Sequence, residues 1–216
     1  MAKTKAHIRY KLADKKTIVP GVTTVLGLRA KPQLVPWANK LGLDGIDVKS
    51  YVDDKADIGT LAHAMVTDGL MGEKTDFSDY DPKQIAQAEN SYLSYLEWAK
   101  EHPIQAIFVE RPLVHEELRF GGTNDIYCDY NGKKTIIDIK TGIGIWPEHK
   151  YQVAALKHLL EFNSYPVDGC RILNIPRSED EKFIDEPCSE KELEVGWEIF
   201  KNLLSVYYLE KQLKGE

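Results

Sequence analysis

Residues 121–142 read GGTNDIYCDYNGKKTIIDIKTG, two alternating runs separated by the dipeptide Asn131-Gly132. Asn-Gly between such runs is a strong hairpin signal, because a two-residue type I′ turn requires positive φ at both central positions. If these two residues form the loop, the two residue numbers of every facing pair add up to 263. The pattern therefore predicts that Asp125 lies directly opposite Asp138.

In this register, one face of the hairpin carries the charged side chains. Counting outward from the turn makes Asp125 and Asp138 a non-hydrogen-bonded pair, with Cα atoms about 4.5 Å apart. Lys140 shares the face of Asp138, whereas Ile137 and Ile139 point to the other side. Facing carboxylates repel each other unless a cation lies between them, and Mg²⁺ prefers carboxylate oxygen. The hairpin thus predicts a divalent metal site.

Spacing alone leaves another interpretation open. Acidic side chains often lie on the solvent face of a strand, and these aspartates could form ion pairs with lysines across the hairpin, as Asp129 opposite Lys134 would. A loop longer than two residues would also send one aspartate to the opposite face.

Composition and charge restrict the class of protein. A chain of 216 residues that is 43% hydrophobic and 29% charged fits one globular unit with additions. The sequence has no apolar stretch long enough for a membrane span and no signal-peptide pattern, so we expect a cytoplasmic protein. Three scattered cysteines without a C-x-x-C pair predict neither a zinc site nor a disulfide framework.

The net charge of −6 argues against a general nucleic-acid binder. The acidic residues nevertheless cluster in 44–57, 76–81 and 178–194, away from the hairpin. A local basic groove is compatible with this distribution, although the same lysines could be ordinary surface residues. The lysines concerned are Lys133, Lys134, Lys140, Lys150 and Lys157 near the hairpin, and Lys3, Lys5, Lys11, Lys15 and Lys16 at the N-terminus.

Capping signals and periodicity predict the remaining elements. Asp81 with Gln84, and Ser189 with Glu192, are typical of helix starts. Pro147-Glu148 opens another helix. We predict helices over 23–28, 35–41, 54–70, 82–102, from 147 onward and over 189–213; strands over 104–114 and 169–176 beside the hairpin; and a small hairpin over 6–19 that includes His7.

Two further polar residues have open interpretations. On the predicted helix 54–70, His63 lies among apolar residues and is either a core histidine or a metal ligand. Alternation on strand 104–114 places Phe108, Glu110 and Val114 on one face, and Ile107, Val109 and Leu113 on the other. Glu110 is either an exposed strand residue or a third carboxylate at the metal site.

Taken together, five motifs resemble the PD-(D/E)XK nuclease superfamily, in particular the RecB-like, phage-type and CRISPR-associated exonucleases. They are Asp125 on one strand, Asp138-Ile139-Lys140-Thr141-Gly142 at the end of the next, Tyr151-Gln152 on the following helix, Gly59-Thr60-Leu61-Ala62-His63, and the opening Pro20-Gly21-Val22-Thr23-Thr24-Val25-Leu26 with Trp37-Ala38. Glu110 falls where the family places its first acidic residue.

The resemblance implies an α+β, restriction-endonuclease-like αβββαβ core with a mixed central sheet and helical additions at both ends. It implies one nuclease domain over 1–216, with an N-terminal elaboration over 1–55, a core over 56–180 and a C-terminal helix over 189–213. It also implies one or two Mg²⁺ or Mn²⁺ ions held by Asp125, Asp138 and the carbonyl of Ile139, with His63 as a further ligand or phosphate contact.

Lys140 would then stabilise charge or position water, with Glu110, Tyr151 and Gln152 assisting. Three cysteines are too few for the iron–sulfur cluster of some relatives, and no phosphate loop or dinucleotide fingerprint predicts a bound nucleotide. The resemblance predicts a metal-dependent DNA exonuclease acting on single strands or duplex ends, in a bacterial or phage-infected cell with replication or recombination proteins. The alternatives are an endonuclease, a catalytically silent DNA-binding or assembly module, and an unrelated α/β binding protein.

Overall fold

The computed structural model describes residues 9–215, which form six helices and five strands. The helices are α1 (Val22–Leu26), α2 (Leu34–Leu43), α3 (Val48–Met71), α4 (Pro82–Glu101), α5 (Pro147–Phe162) and α6 (Glu190–Lys214). The strands are β1 (Ile104–His115), β2 (Phe120–Tyr130), β3 (Lys133–Lys140), β4 (Gly169–Asn174) and β5 (Ile184–Pro187).

The strands form one mixed sheet in the order β1-β2-β3-β4-β5. Neighbouring strands are antiparallel except β3 and β4, which are parallel and joined through α5. A parallel pair requires such a crossover, because its strands start from the same end of the sheet. The arrangement confirms the predicted α+β class and the αβββαβ order of α4 to β4. The short strand β5 was not predicted.

The predicted hairpin register is confirmed. Asn131 and Gly132 both have positive φ, 53° and 77°, and Tyr130 pairs with Lys133. The Asp129 carboxylate accepts a hydrogen bond of 2.8 Å from the Gly132 amide, which reinforces the turn. The ladder continues to Ile126 opposite Ile137 and ends there, one pair before the two aspartates.

Two apolar cores cover the two faces of the sheet. On one face, α1, α5 and α6 pack on Tyr127, Ile136 and Ile172. On the other face, α3 and α4 pack on Ile137 and Ile139. Because both faces are covered, β3 has five consecutive buried residues, 135–139. Asp138 is the charged member of this run, so its carboxylate lies inside the protein.

Strand β1 does not alternate as predicted. Its register against β2 shifts between Ala106 and Phe108, and Glu110 has a positive φ of 43°. Phe108 and Leu113 consequently pack in the same core, and Val109 in the other. The predicted grouping of Leu113 with Val109 is therefore wrong, because the left-handed residue between them reverses the facing of the strand.

The helix signals locate the helix starts well. Asp81 and Gln84 form a capping box at the start of α4, as do Ser189 and Glu192 at the start of α6. Helix α3 begins earlier than predicted, because Asp47 caps it by accepting from the Ser50 amide. No helix within residues 9–215 combines the length and apolar character that crossing a bilayer requires.

The predicted N-terminal hairpin is present in the part of the chain that the structure describes. Lys11 pairs with Ile18 across a turn, and the Asp14 carboxylate accepts hydrogen bonds from the amides of Lys16 and Thr17. His7, Lys3 and Lys5, which the sequence placed in or before this hairpin, lie outside the described residues.

Candidate active site

The candidate site lies where β2 and β3 separate. Beyond Ile126 and Ile137, β2 remains paired with β1, whereas β3 pairs with β4 up to Lys140 opposite Asn174. Asp125 and Asp138 are the first residues beyond the end of the β2–β3 ladder. The divergence opens a crevice between the strands, with one carboxylate on each.

Asp125 bridges this gap with its side chain. Its Oδ2 accepts a hydrogen bond of 2.7 Å from the Ile139 amide, and its Oδ1 lies 3.6 Å from His63 Nδ1. Burial raises the pKa of Asp125, but the His63 imidazole, Lys140 and the Ile139 amide outweigh burial and leave the pKa below its usual value. Asp125 is therefore ionised at neutral pH.

Asp138 is the more deeply buried acid, with only 1% of its side chain exposed. Its Oδ2 lies 2.5 Å from Lys140 Nζ, and its Oδ1 accepts a long hydrogen bond of 3.4 Å from Gln152 Nε2. Burial raises the pKa of Asp138 to about 6; Lys140 opposes this rise and the charge of Asp125 adds to it. The charges of the two acids thus interact, as the hairpin register predicts.

Lys140 supplies the positive charge beside Asp138. Its ammonium also donates to the Ile139 carbonyl at 3.3 Å, and 18% of its side chain is exposed. Burial lowers the pKa of Lys140, yet the attraction of Asp138 and Asp125 prevails and raises that pKa above its ordinary value. The ammonium is therefore charged at neutral pH and points into the crevice.

Helix α3 brings His63 to Asp125. Leu61 and Ala62 are buried in the core, which fixes the helix on the sheet. A Cβ at Gly59 would lie 2.8 Å from Thr141 Oγ1, so only glycine lets the helix approach the end of β3 this closely. The attraction of Asp125 outweighs burial and raises the pKa of His63. His63 thus lies beside Asp125, with its imidazole facing a carboxylate as well as the apolar core.

Glu110 lies beside the same crevice. Its neighbours Val109 and Arg111 pair with Ile126 and Asn124, which places Glu110 opposite Asp125 in the β1–β2 register. Glu110 lines an open cavity of about 270 Å³ together with Gly59, Thr60 and His63. A positive φ in a non-glycine residue is uncommon and often marks a functional position. The cavity gives a ligand access to His63 from solvent.

The two site residues predicted on α5 have different surroundings. Gln152 reaches Asp138, as the hydrogen bond above shows. Tyr151 instead packs against the core of α5 and α6, and the Arg29 guanidinium lies 5.1 Å from the centre of its ring. Consecutive helical residues point about 100° apart, so one site cannot easily use both side chains. No described contact of Tyr151 supports its predicted role in orienting water.

Much of the predicted basic groove is neutralised. Lys134 pairs with Asp129 at 3.0 Å, Lys157 pairs with Glu161, and Lys150 pairs with both Glu186 and Glu192. Lys140 pairs with Asp138 but stays within the crevice. Arg29 adds positive charge that the sequence did not indicate, whereas Lys31 is also paired, since its Nζ lies 2.9 Å from Glu148 at the start of α5.

His149 and Asn174 also escaped sequence analysis. His149 Nδ1 accepts a 3.2 Å hydrogen bond from the Trp146 amide, and burial and the charge of Lys140 lower the pKa of His149 to about 4. Asn174 Nδ2 donates to the Gly142 carbonyl at 2.8 Å and fixes the turn after Lys140. The sequence could have indicated His149, because this residue is at the third position of a helix that starts with proline. No pattern in the sequence indicated Asn174.

The chemical types of these side chains suit a hard metal ion better than their positions do. Within residues 9–215, no three His, Cys, Asp or Glu side chains converge as an ion would require. Asp138 Oδ2 is buried and contacts the Lys140 ammonium at 2.5 Å. That ammonium also contacts the Ile139 carbonyl, the second oxygen predicted to bind metal. Carboxylate and carbonyl oxygens are the ligands Mg²⁺ prefers, so the donor set fits once the ammonium shifts.

Comparison with known proteins identifies the fold. No family model and no curated protein sequence matches the chain. A crystal structure named as a "putative exonuclease" from Eubacterium rectale aligns over 74% of this chain and 68% of its own, with 12% identity and a TM-score of 0.52. LHK-Exo in complex with dAMP aligns over 75% of this chain and 91% of its own, with 13% identity, but its TM-score of 0.34 is too low to support an argument. The chain therefore shares the fold of a protein named as an exonuclease.

Proposed function

We propose that the protein is a metal-dependent nuclease that hydrolyses phosphodiester bonds of DNA, acting from strand ends. The observation that carries the proposal is the placement of Asp125, Asp138 and Lys140 at the point where β2 and β3 separate. One buried acid with a partly buried acid and ammonium beside it costs stability, and such clusters of perturbed charges are typical of functional sites. The fold shared with a protein named as an exonuclease supports the same conclusion.

Mg²⁺ or Mn²⁺ bound by Asp125, Asp138 and the Ile139 carbonyl, with His63 and Glu110 alongside, would lower the pKa of a bound water and neutralise charge on the phosphate. The chain's own residues supply the rest. His63 keeps Asp125 ionised, and Gln152 holds one oxygen of Asp138. The Lys140 ammonium is a compact charge that would stabilise the phosphate as negative charge develops on it.

The test is cleavage of labelled DNA with Mg²⁺ or Mn²⁺, compared with EDTA. Asp138→Asn and Lys140→Ala should each lower the rate by 10²-fold or more, an order of magnitude typical of removing one electrostatic contact to the transition state. Lys140→Ala should lower kcat while Mn²⁺ still binds in calorimetry. Equal rates in the wild type and both variants would refute the proposal.

The hairpin offers a matched control. Asp129 and Lys134 form an ion pair on the same two strands, nearer the turn. Asp129→Asn and Lys134→Ala alter the same residue types and should leave the rate within about twofold, because exposed pairs contribute little to stability. A catalytically silent DNA-binding module would instead bind DNA without cleaving it in any of these proteins.

The mode of cleavage requires separate substrates. Linear strands labelled at the 5′ or 3′ end, single-stranded or blunt duplex, distinguish end-directed trimming from internal cutting. A closed circular single strand should resist the enzyme if it acts only from ends. Degradation of the circle at the rate of the linear strand would identify an endonuclease.

A further inference from the structure

A second cavity lies on the other side of the start of α5 from Gln152. It has a volume of about 420 Å³ and lies between the loop after β3, β5 and the first turns of α5 and α6. Its apolar walls are Ile145, Trp146, Pro147, Tyr151 and Val195. Half of Trp146 is exposed, which is unusual for the largest apolar side chain. An indole at the edge of a cavity can stack against a planar ligand.

The backbone of Trp146 is fixed before any ligand arrives. Its amide donates to His149 Nδ1 at 3.2 Å, and its carbonyl accepts from the His149 amide at 2.9 Å. The following residue, Pro147, has a restricted φ and begins the helix. The indole is therefore carried by a rigid segment, which lowers the entropy cost of stacking a ligand on it.

The charges of the cavity favour an uncharged ligand. Its acidic residues Glu186 and Glu192 both form ion pairs with Lys150, whose Nζ lies 2.5 Å from Glu186. Lys191 also lines the cavity, so its two lysines balance its two glutamates, and the cavity has no net positive charge to attract a phosphate. A heterocyclic base needs no such charge, because it offers a flat apolar surface with polar edges.

Helix α5 connects the cavity with the candidate active site. Tyr151 lines the cavity, while the next residue, Gln152, contacts Asp138. A strand running from the crevice to the cavity would cross the N-terminal end of α5, where the helix dipole is positive. Arg29 on the Tyr151 ring adds positive charge on that path, whereas Lys31 is paired with Glu148.

We propose that this cavity binds an unpaired nucleobase of the strand being degraded, stacked on Trp146. This inference rests on the proposed function and makes it more specific. A base in a duplex is stacked and paired, so the cavity would select a single-stranded or frayed end. Stacking on an aromatic side chain is tolerant of sequence, and the site would accept any of the four bases.

The test uses single strands carrying 2-aminopurine at successive positions from one end, with EDTA present to prevent cleavage. Wild-type protein should quench the emission of one or two adjacent positions. Trp146→Ala should abolish that quenching and weaken binding about 5- to 150-fold, the range expected for the loss of one base–aromatic stack. Trp146→Phe retains a ring and should bind more tightly than Trp146→Ala.

Phe77 provides the control. It is an aromatic residue with 38% exposure in the acidic segment 76–81, and Phe77→Ala should leave quenching and affinity unchanged. Equal affinity of Trp146→Ala and wild type for single strands, with cleavage intact, would overturn this inference and leave the proposed function standing. Trp146-dependent quenching without cleavage in Mg²⁺ or Mn²⁺ would refute the nuclease and retain the base site.

Discussion

The Lys140 ammonium lies 2.5 Å from Asp138 Oδ2 and donates at 3.3 Å to the carbonyl of Ile139, the residue between them. These two oxygens are the ones that would bind a metal ion from β3. The lysine thus supplies, within the chain, the positive charge that a buried carboxylate requires. A metal ion bound by these oxygens would have to displace the ammonium from both of them.

The first prediction concerns this ion pair in metal-free protein. Lys140→Met retains the apolar stem and removes the charge, which leaves Asp138 buried without its cationic partner. Removing one member of a buried pair costs up to about 3–5 kcal/mol, and protonation of the carboxyl would reduce that cost. We expect a large loss in the free energy of unfolding, measured by urea denaturation in EDTA near neutral pH.

The double variant Asp138→Asn/Lys140→Met is the decisive comparison. Because it removes both charges, it should recover most of the stability that Lys140→Met loses. Lys134→Met, in the exposed pair with Asp129, should cost less than about 1 kcal/mol. Additive losses in the double variant would show that the two buried charges do not stabilise each other.

The second prediction is the pH dependence due to Asp138, whose pKa rises from an ordinary 3.8 to about 6 in the folded chain. Below about pH 4, the carboxyl is protonated in both folded and unfolded chains and adds no cost. As the pH rises from about 4 to 6, the unfolded chain releases this proton while the folded chain retains it, and up to about 3 kcal/mol of stability is lost. Metal-free Asp138→Asn should lack this loss.

The measurement is the urea midpoint in EDTA at several pH values from about 4.5 to 8, for the wild type and Asp138→Asn. The difference between the two proteins should grow in favour of the variant as the pH rises. A constant difference across that range would contradict a raised pKa at Asp138.

The parts of the fold that sequence predicted were those set by local chemistry. Asn131-Gly132 fixes a type I′ turn, and the turn fixes the register that places Asp125 and Asp138 just beyond the last pair of the β2–β3 ladder. Side-chain caps at Asp81 and Ser189 likewise begin their helices. In each case, a few neighbouring residues determine the structure without help from the rest of the chain.

The parts that sequence missed depend on distant contacts. Nothing in the residue type of Glu110 indicates a left-handed backbone, and that single φ decides which face of β1 meets which core. Strand β5 has only four residues and no alternating pattern, and it forms because it pairs with β4, as in Glu186 opposite Ile172. The position of Tyr151 depends on Arg29, more than a hundred residues earlier.

The third prediction concerns His149. Burial, with a contribution from Lys140, lowers its pKa from 6.5 to about 4, and its Nδ1 accepts a hydrogen bond only in the neutral form. As the pH falls below about 6.5, the unfolded chain takes up a proton that the folded chain resists, so this contribution to stability is lost. The sign is opposite to that of Asp138.

His149→Gln tests this contribution, because glutamine has an acceptor oxygen and does not titrate. The variant should lose less stability than the wild type between about pH 7 and pH 4.5 in urea denaturation. Lys134→Ala serves as a control for the removal of a basic side chain outside the site. An identical pH profile for His149→Gln and wild type would show that His149 titrates normally in the folded chain.

The fourth prediction tests whether the closeness of α3 to β3 matters. Alanine normally stabilises a helix by roughly 0.5–1 kcal/mol relative to glycine, and Gly42→Ala in α2, where a Cβ meets nothing within 4 Å, should show that gain. Gly59→Ala would place its Cβ 2.8 Å from Thr141 Oγ1, next to Lys140, and overpacking typically costs about 1–3 kcal/mol. We expect Gly59→Ala to lower both stability and cleavage rate, and the second change Thr141→Ala to restore much of both, because it removes the clashing hydroxyl. Urea midpoints and initial rates are measured for the four proteins. A gain of stability in Gly59→Ala, like that expected in Gly42→Ala, would contradict a tight contact between these elements.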